Sequence, residues 1–417
     1  MATLIFIFYL ALACVAIHYS GIHRQSGFSA RVWMTLFVLK VLAGCCNLYF
    51  HYQNIVNNDI YFYYLQSMQE LNEATVHPGV FLRNWLFNWG DFAGGYNLFG
   101  TGAMPYWSDI GVLLHTKFMT LANILSFGHL YTNIIFYNLI YFTGMYCLYR
   151  VFYQIQPHKK LLLLAGIFFI PSVLFWCSGI HKDGWVIASI GVILFSTQQL
   201  LNRYRLRYLL TLLFSFLILF VIRYFVFLVF VPFYVFWLFS VRFHPKPLFI
   251  LGLMLTGFFL LWGLSIWVPS FDLWGMVVAK QQEYFKLKGY SDMQTPVLTN
   301  HWRSFLQNLP VSLDHVFLQP HIHPGMALKY VIASLDALLI CLISLFALVF
   351  FQRPAQEQAM FVYSFLAFSL FMYLFIGFTI PNCGALVRYK SVFTACWIPL
   401  QLLCCDIPFL RRWYRYP

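Results

Sequence analysis

Residues 161–195 read LLLLAGIFFIPSVLFWCSGIHKDGWVIASIGVILF. Two apolar runs flank a single charged triplet, His181-Lys182-Asp183. Each run is near the roughly 20 residues needed to cross hydrocarbon. Both are continuous and do not alternate at period two, so a transmembrane barrel does not fit them. The same rhythm of apolar run and short polar turn recurs along the chain. Of its 417 residues 61% are hydrophobic and 9% charged, against about 25% charged in a soluble domain. Such a chain cannot cover itself with polar surface. The expected fold is all-α: a polytopic transmembrane helical bundle of about eleven spans, forming one transmembrane domain over residues 1–417.

The spans read as 1–20, 31–50, 128–149, 160–178, 184–201, 207–222, 224–241, 247–268, 326–351, 358–378 and 389–405. The first, MATLIFIFYLALACVAIHYSG, has no basic n-region and no clear cleavage site, so it reads as a retained span. The loops sort by charge. One set holds Arg24, Arg31, Arg150, Lys159, Lys160, Arg203, Arg205, Arg207, Arg242, Lys246, Arg353, Arg411, Arg412 and Arg415 against only Glu357 and Asp406. The other set mixes ten acids with eleven cations. The positive-inside rule puts the first set in the cytoplasm and the N-terminus outside. The stretch Tyr208–Val241 reads either as one long tilted helix or as two short spans turning at Arg223. Two spans keep the charge pattern consistent. The net charge of +13 follows this loop bias, and no basic stripe with interleaved aromatics stands apart from it, which argues against nucleic acid as a partner. The ten cysteines fall mostly inside spans, with no CxxC pair or zinc spacing.

Two outer loops are long, 51–127 and 269–325. The first holds a helical stretch after Asp59, the turn-rich GDFAGGYNLFGTGAMP and an amphipathic stretch near Trp107–Phe127. The second holds MVVAKQQEYFKLKGY. Segments of this kind lie in the membrane interface.

Sidedness gathers Asp59, His181, Lys182, Asp183, Arg223, Arg388 and Lys390 on the non-cytoplasmic side. Each has an ordinary reading. Asp59 suits a helix N-cap, and also a general base shielded by Tyr61, Phe62, Tyr63 and Tyr64. The His181–Asp183 triplet suits a polar hairpin with Lys182 snorkelling, and also a phosphate site. Arg223 suits an anchor at a helix end or a site residue. Arg388 and Lys390 open the last span against the positive-inside bias, which favours binding of an anionic headgroup or a substrate phosphate. Lys40 and Asp336, each about ten residues into a span, are expected to pair, because either alone at that depth is costly. Glu70, Glu73, Asp91 and Asp109 read as solvated-face acids, and His301, His315, His321 and His323 as solvated loop residues, with the HIH at 321–323 a weak metal pattern.

In these residues the chain resembles the GT-C superfamily of glycosyltransferases. Asp59 in NNDIYFYY is similar to that family's Asp-x-x-x-Tyr pattern. Asp59–Phe127 resembles its long first outer loop with interfacial helices. Val387-Arg388-Tyr389-Lys390 looks like its late Arg-Tyr-basic motif, and PSxxFWxSGxxKD at Pro171–Asp183 resembles a string in bacterial membrane proteins of this kind. One span precedes the family's usual first, and Asp59 stands without a second acid beside it. The resemblance implies a multi-pass enzyme of a bacterial cytoplasmic (inner) membrane, with its active site on the non-cytoplasmic side. It implies transfer of a sugar from a polyprenyl-phosphate or diphosphate donor to a glycan, lipid or protein acceptor, among membrane lipids. Asp59 would deprotonate the acceptor hydroxyl in an inverting attack. His181, Lys182, Asp183, Arg223, Arg388, Tyr389 and Lys390 would bind the substrate, the cations stabilising the leaving phosphate. No cofactor is required; a divalent ion between Asp59 and Asp183 stays open. A Wzy-like glycan polymerase or O-antigen ligase would instead rank His181 above Asp59. A transporter or flippase for a lipid-linked sugar would show inverted repeats and gating on both faces.

Overall fold

The computed structural model describes residues 1–52, 59–87, 106–243, 252, 256, 257, 263, 272–286 and 291–406. All named elements among them are helical. The chain divides into two compact units, Met1–Gly95 with Tyr106–Phe225, and Tyr96–Pro105 with Val226–Pro417. The turn-rich stretch at 90–105, most of the expected span at 247–268, Lys246 and the basic tail Arg411, Arg412 and Arg415 lie outside the described residues.

The first unit contains α1 (Ala2–Tyr19), α2 (Ala30–Tyr52), α3 (Asp59–Val76), α4 (Pro78–Phe87), α5 (Tyr106–Ser126), α6 (Leu130–Ile155), α7 (Lys160–Phe168), α8 (Pro171–Trp176), α9 (Lys182–Asn202) and α10 (Leu206–Ile222). The second contains α11 (Tyr224–Phe243) from Val226 onward, α12 (Leu273–Phe285), α13 (Trp302–Phe317), α14 (Leu328–Val349), α15 (Gln356–Thr379) and α16 (Cys383–Leu403). Six described helices are long and apolar enough to cross a membrane. They are Ala2–Tyr19, Ala30–His51, Lys182–Asn202, Tyr224–Phe243, Leu328–Val349 and Gln358–Thr379. A seventh is added if Ile110–Ser126 and Leu130–Ile155, bent by 120° at their break, count as one. The protein is thus a helical membrane protein with six or seven such helices among the described residues.

The difference from the expected spans has local causes. The stretch read as a span at 160–178 is two short helices, α7 and α8. Pro171 cannot donate to the preceding turn and sits at the start of α8, where its fixed φ is accommodated. Apolar α10 is short, and the chain leaves the helical region at Arg223 (φ −148°, ψ 76°) before α11 begins. The last helix starts at Cys383, earlier than expected, because the Asn382 carboxamide accepts from Gly384 N at 2.9 Å and Ala385 N at 3.2 Å. Arg388 and Lys390 therefore lie inside α16 and do not open it.

Helices α6 and α9 form the spine of the first unit and run in the same direction. Tyr141 lies against Gly184, Gly144 against Ala188, and Leu148 against Gly191. A Cβ on Gly144 would collide with Ala188, and one on Gly191 with the Gly144 carbonyl. Small residues let backbones approach closely where no hydrophobic driving force separates helix from lipid. Against α6 an aromatic cluster fills the core: the Trp33 ring on α2 lies 5.0 Å from Tyr146, 5.2 Å from Tyr149 and 6.0 Å from both Phe142 and Phe168.

Gly144→Leu is expected to cost at least about 1–3 kcal/mol through overpacking against α9. Gly79→Ala, at a position with open space around it, is expected to be close to neutral. Thermal melting of the detergent-purified protein compares the two, and equal melting temperatures would refute the close-packed crossing.

Candidate functional site

Between α8 and α9 the chain is not helical, although it lies inside the bundle. Residues 177–181 are all buried. An unwound backbone in an apolar surrounding leaves carbonyls that must find donors. Three side chains from neighbouring helices supply them. Lys40 on α2 donates to Cys177 O at 2.9 Å and to Ser178 Oγ at 2.8 Å. Asn138 on α6 donates to Ser178 O at 2.8 Å, and Tyr141 to His181 O at 2.7 Å. The expected Lys40–Asp336 pair is corrected here: Lys40 is satisfied by this segment, within its own unit. A lone ammonium at that depth needs acceptors, and carbonyls serve as well as a carboxylate.

His181 is 1% exposed. Its Nε2 is 3.0 Å from Asn47 Oδ1, and its ring lies 5.0 Å from His51 and 5.7 Å from Trp176. Extended backbone at His181 (φ −129°, ψ 154°) turns the chain into α9. Lys182 and Asp183 form the first turn of that helix, where an acid complements the helix dipole. They are 8% and 2% exposed, so the expectation of a solvated hairpin with a snorkelling Lys182 is corrected. The triplet is drawn inward because Tyr141 holds the His181 carbonyl and α6 packs against Gly184.

Asp183 Oδ1 lies 3.5 Å from Arg223 Nη2. The break after α10 that exposes Arg223 thus delivers it to the start of α9. Lys182 Nζ is 5.8 Å from the centre of the Tyr63 ring, a cation–π distance. Tyr63 comes from α3, whose first residue is Asp59. Residues four apart share a helix face, with Cβ atoms about 6 Å apart. Asp59 is therefore one turn from the ring that covers Lys182, and it is exposed. The structure brings Asp183 and Arg223 together, holds Lys182 over the Tyr63 ring one residue before Asp183, and places Asp59 one helical turn from that ring.

The position of α3 is fixed by a polar seam with α5. Thr116 donates to Gln66 Oε1 at 3.3 Å, Thr120 to Glu70 Oε2 at 2.6 Å, and Asn123 to Ser67 Oγ at 2.8 Å. Asn133 on α6 extends the seam, donating to Asn123 Oδ1 at 2.6 Å. His115 on α5 lies 4.7 Å from Tyr63. Glu70 is thus an acceptor in a seam and not a solvated-face acid. Glu73 accepts from Asn84 Nδ2 at 3.0 Å. Asp91 and the side chain of Asp109 lie outside the described residues.

Arg388, Tyr389 and Lys390 belong to the second unit. Lys390 is buried, and its Nζ donates to Val316 O on α13 at 3.1 Å; the Asp336 carboxylate on α14 acts on its charge without an ion-pair contact among the described residues. Arg388 lies 5.5 Å from the Tyr389 ring, and Tyr389 lies 6.0 Å from Tyr284 on α12. Lys280, 5.3 Å from that Tyr284 ring, pairs with Glu283. Of the loop histidines, His301 caps α13 by accepting from Arg303 N at 3.2 Å. His315 is buried, with Nδ1 3.2 Å from Gly377 O. His321 and His323 are exposed, and His321 Nε2 lies 3.0 Å from Asp314 Oδ1. Among the described residues no group of three His, Cys, Asp or Glu side chains could hold a metal ion.

Sequence reasoning missed Asn47, His51 and Asn138 as parts of the first-unit site, and it named Tyr63 only as one of the rings shielding Asp59. Asn47 and Asn138 carried a signal: carboxamides inside apolar runs need partners. Comparison with protein-family models, with curated proteins and with solved structures finds no match for the chain.

Two stability tests follow from this geometry. Lys40→Met strips donors from Cys177 O and Ser178 and is expected to cost about 1–3 kcal/mol. Its effect should add to that of Asp336→Leu, whereas a pair would make the double variant milder than the sum. Asp183→Ala leaves the Arg223 guanidinium without its carboxylate and should cost more than Arg223→Gln. The double variant should show a coupling of about 0.5–3 kcal/mol. A double-mutant cycle by thermal melting reads both, and strict additivity for Asp183 and Arg223 would remove the ion pair.

Proposed function

We propose that the chain is a membrane glycosyltransferase of GT-C type, taking a sugar from a polyprenyl-phosphate or diphosphate carrier to a glycan, lipid or protein acceptor. The observation that carries this reading is the start of α9 in the first unit: Arg223 pairs with Asp183, and Lys182 lies over the Tyr63 ring of the helix that begins with the exposed Asp59. Lys182 is buried in the apolar bundle and Arg223 partly so. An anion entering there is attracted more strongly than in water.

Transfer from a lipid phosphate needs charge stabilisation where the leaving oxygen develops its negative charge. Preorganised cations in a partly dry site supply it. Lys182 and Arg223 take that role, and Asp183 holds Arg223 in place. Asp59, exposed one turn away, takes the proton from the acceptor hydroxyl as that oxygen attacks the anomeric carbon. Tyr63 and the neighbouring aromatic rings limit water at the cationic end. The reading uses the first unit alone. Lys390, which donates to Val316 O, is not asked to bind substrate. The expected side is the non-cytoplasmic face of a bacterial inner membrane. The polymerase or ligase alternative asks His181 to handle the diphosphate, and its contact with Asn47 and its burial make it a support for the loop instead.

Release of polyprenyl phosphate from a labelled lipid-linked sugar by the purified protein tests the reading directly. Asp59→Asn should lower turnover by about 10²–10⁴-fold, the range for loss of a general base, with donor binding retained. Lys182→Met should weaken donor binding as well as turnover. Full activity in Asp59→Asn with loss in His181→Ala would transfer the assignment to the ligase class. Movement of the intact donor across the bilayer without release would make the protein a transporter.

A further inference from the structure

Arg150 lies near the end of α6, with its guanidinium 6.0 Å from the Phe195 ring on α9. Phe195 is roughly 20 Å along α9 from Lys182 at ~1.5 Å rise per residue. This is a different end of the first unit from the site described above. Arg150 is only 6% exposed. Its Nη1 donates to Gln25 Oε1 at 2.9 Å and to the Tyr146 hydroxyl at 3.1 Å, both neutral acceptors. Its Nε is buried without any acceptor. No ion pair among the described residues includes it.

A guanidinium stays charged at any physiological pH, and a buried charge calls for an opposite one. The surrounding sequence offers none. No Asp or Glu occurs in residues 1–58, 110–182 or 184–271. The helices that surround Arg150 are drawn from those stretches, and Asp183 is at the far end of α9. Cations gather there instead. Arg24 shares a short 3-10 turn with Gln25, Lys159 is 4% exposed, and Lys160 lies 5.8 Å from Phe28. Arg203, Arg205 and Arg207 follow the same end of α9. The positive-inside rule accounts for the exposed members of this group. It does not account for an arginine buried beneath them that pairs with no acid among the described residues.

We infer that the Arg150 end of the first unit is a binding site for a phosphate-bearing anion, either the headgroup of an anionic phospholipid or free inorganic phosphate. The guanidinium offers a planar fork of donors suited to phosphate oxygens. Gln25, which covers it, is exposed, and a neutral carboxamide yields readily to an anion. Basic pockets between transmembrane helices commonly take phospholipid headgroups. The site is independent of the glycosyltransferase reading, because it uses neither Asp59 nor Lys182.

The full-length protein in nanodiscs of phosphatidylcholine, with and without phosphatidylglycerol, provides the test. Melting temperature and lipid retained in native mass spectrometry are the readouts, and a parallel arm titrates inorganic phosphate in detergent. Phosphatidylglycerol is expected to raise the melting temperature and to be retained, and Arg150→Gln to weaken that binding by roughly ten-fold or more. Stabilisation by inorganic phosphate as well identifies a free anion as a sufficient ligand; stabilisation by phosphatidylglycerol alone identifies the headgroup. Gln25→Glu, at an exposed position, gives Arg150 the carboxylate it lacks. That variant should melt higher than the wild type in phosphatidylcholine and lose its response to the added anion, and it carries the test if Arg150→Gln does not fold. The inference is overturned if neither anion changes the wild-type protein beyond phosphatidylcholine, or if either variant responds as the wild type does.

Discussion

The first unit depends on how the unwound segment 177–181 satisfies its carbonyls. Water would ordinarily take the free main-chain oxygens of a helix break, but a bundle of this composition excludes it. Lys40, Asn138 and Tyr141 take them instead, from two helices distant in sequence. These contacts do more than neutralise a defect. They hold the end of the break at one depth and one orientation, so that α9 begins with Lys182 and Asp183 inside the protein. A continuous helix through 160–200 would need none of these donors. It would also scatter His181, Lys182 and Asp183 around its circumference and could not present them as a group at a helix start.

Two further breaks complete the arrangement. The chain leaves α10 at Arg223, so its side chain reaches Asp183 at a helix end and does not project from the middle of an apolar wall. The bend between α5 and α6 lets α5 lie beside α3 while α6 packs against α9. One pair of helices thereby serves both the segment carrying Asp59 and Tyr63 and the spine carrying Tyr141. Polar contacts dominate at each break, and glycine-mediated backbone approach dominates between them.

Composition and hydropathy were enough to read a helical membrane protein, and charge singled out Lys182, Asp183 and Arg223 before any geometry was known. The break at Arg223 was legible because an arginine interrupts an apolar run. The division of the stretch at 160–178 was less so: Pro171 marked it, but a proline inside a hydrophobic run is also compatible with a kinked span. Lys40 and Asp336 were read correctly as groups in need of partners. Their partners were misjudged, because sequence displays carboxylates and conceals main-chain carbonyls freed by a break. Arg388 and Lys390 were placed at a helix opening through neglect of Asn382, a side-chain cap that moves the start of α16 back to Cys383. Burial of His181 and the α3–α5 seam were not legible at all, since both arise from contacts between segments far apart in the chain.

The buried lysines are held in different ways. Lys390 donates to Val316 O, and the Asp336 carboxylate acts on its charge. Lys40 is met by two directed acceptors at the helix break, a carbonyl and a hydroxyl. Lys182 differs from both in its setting. The Tyr63 ring lies 5.8 Å from its Nζ, and the ion pair of Asp183 with Arg223 begins at the next residue. Successive residues of a helix point about 100° apart, so the ring and the ion pair occupy different sides of the start of α9, and one helix end carries both.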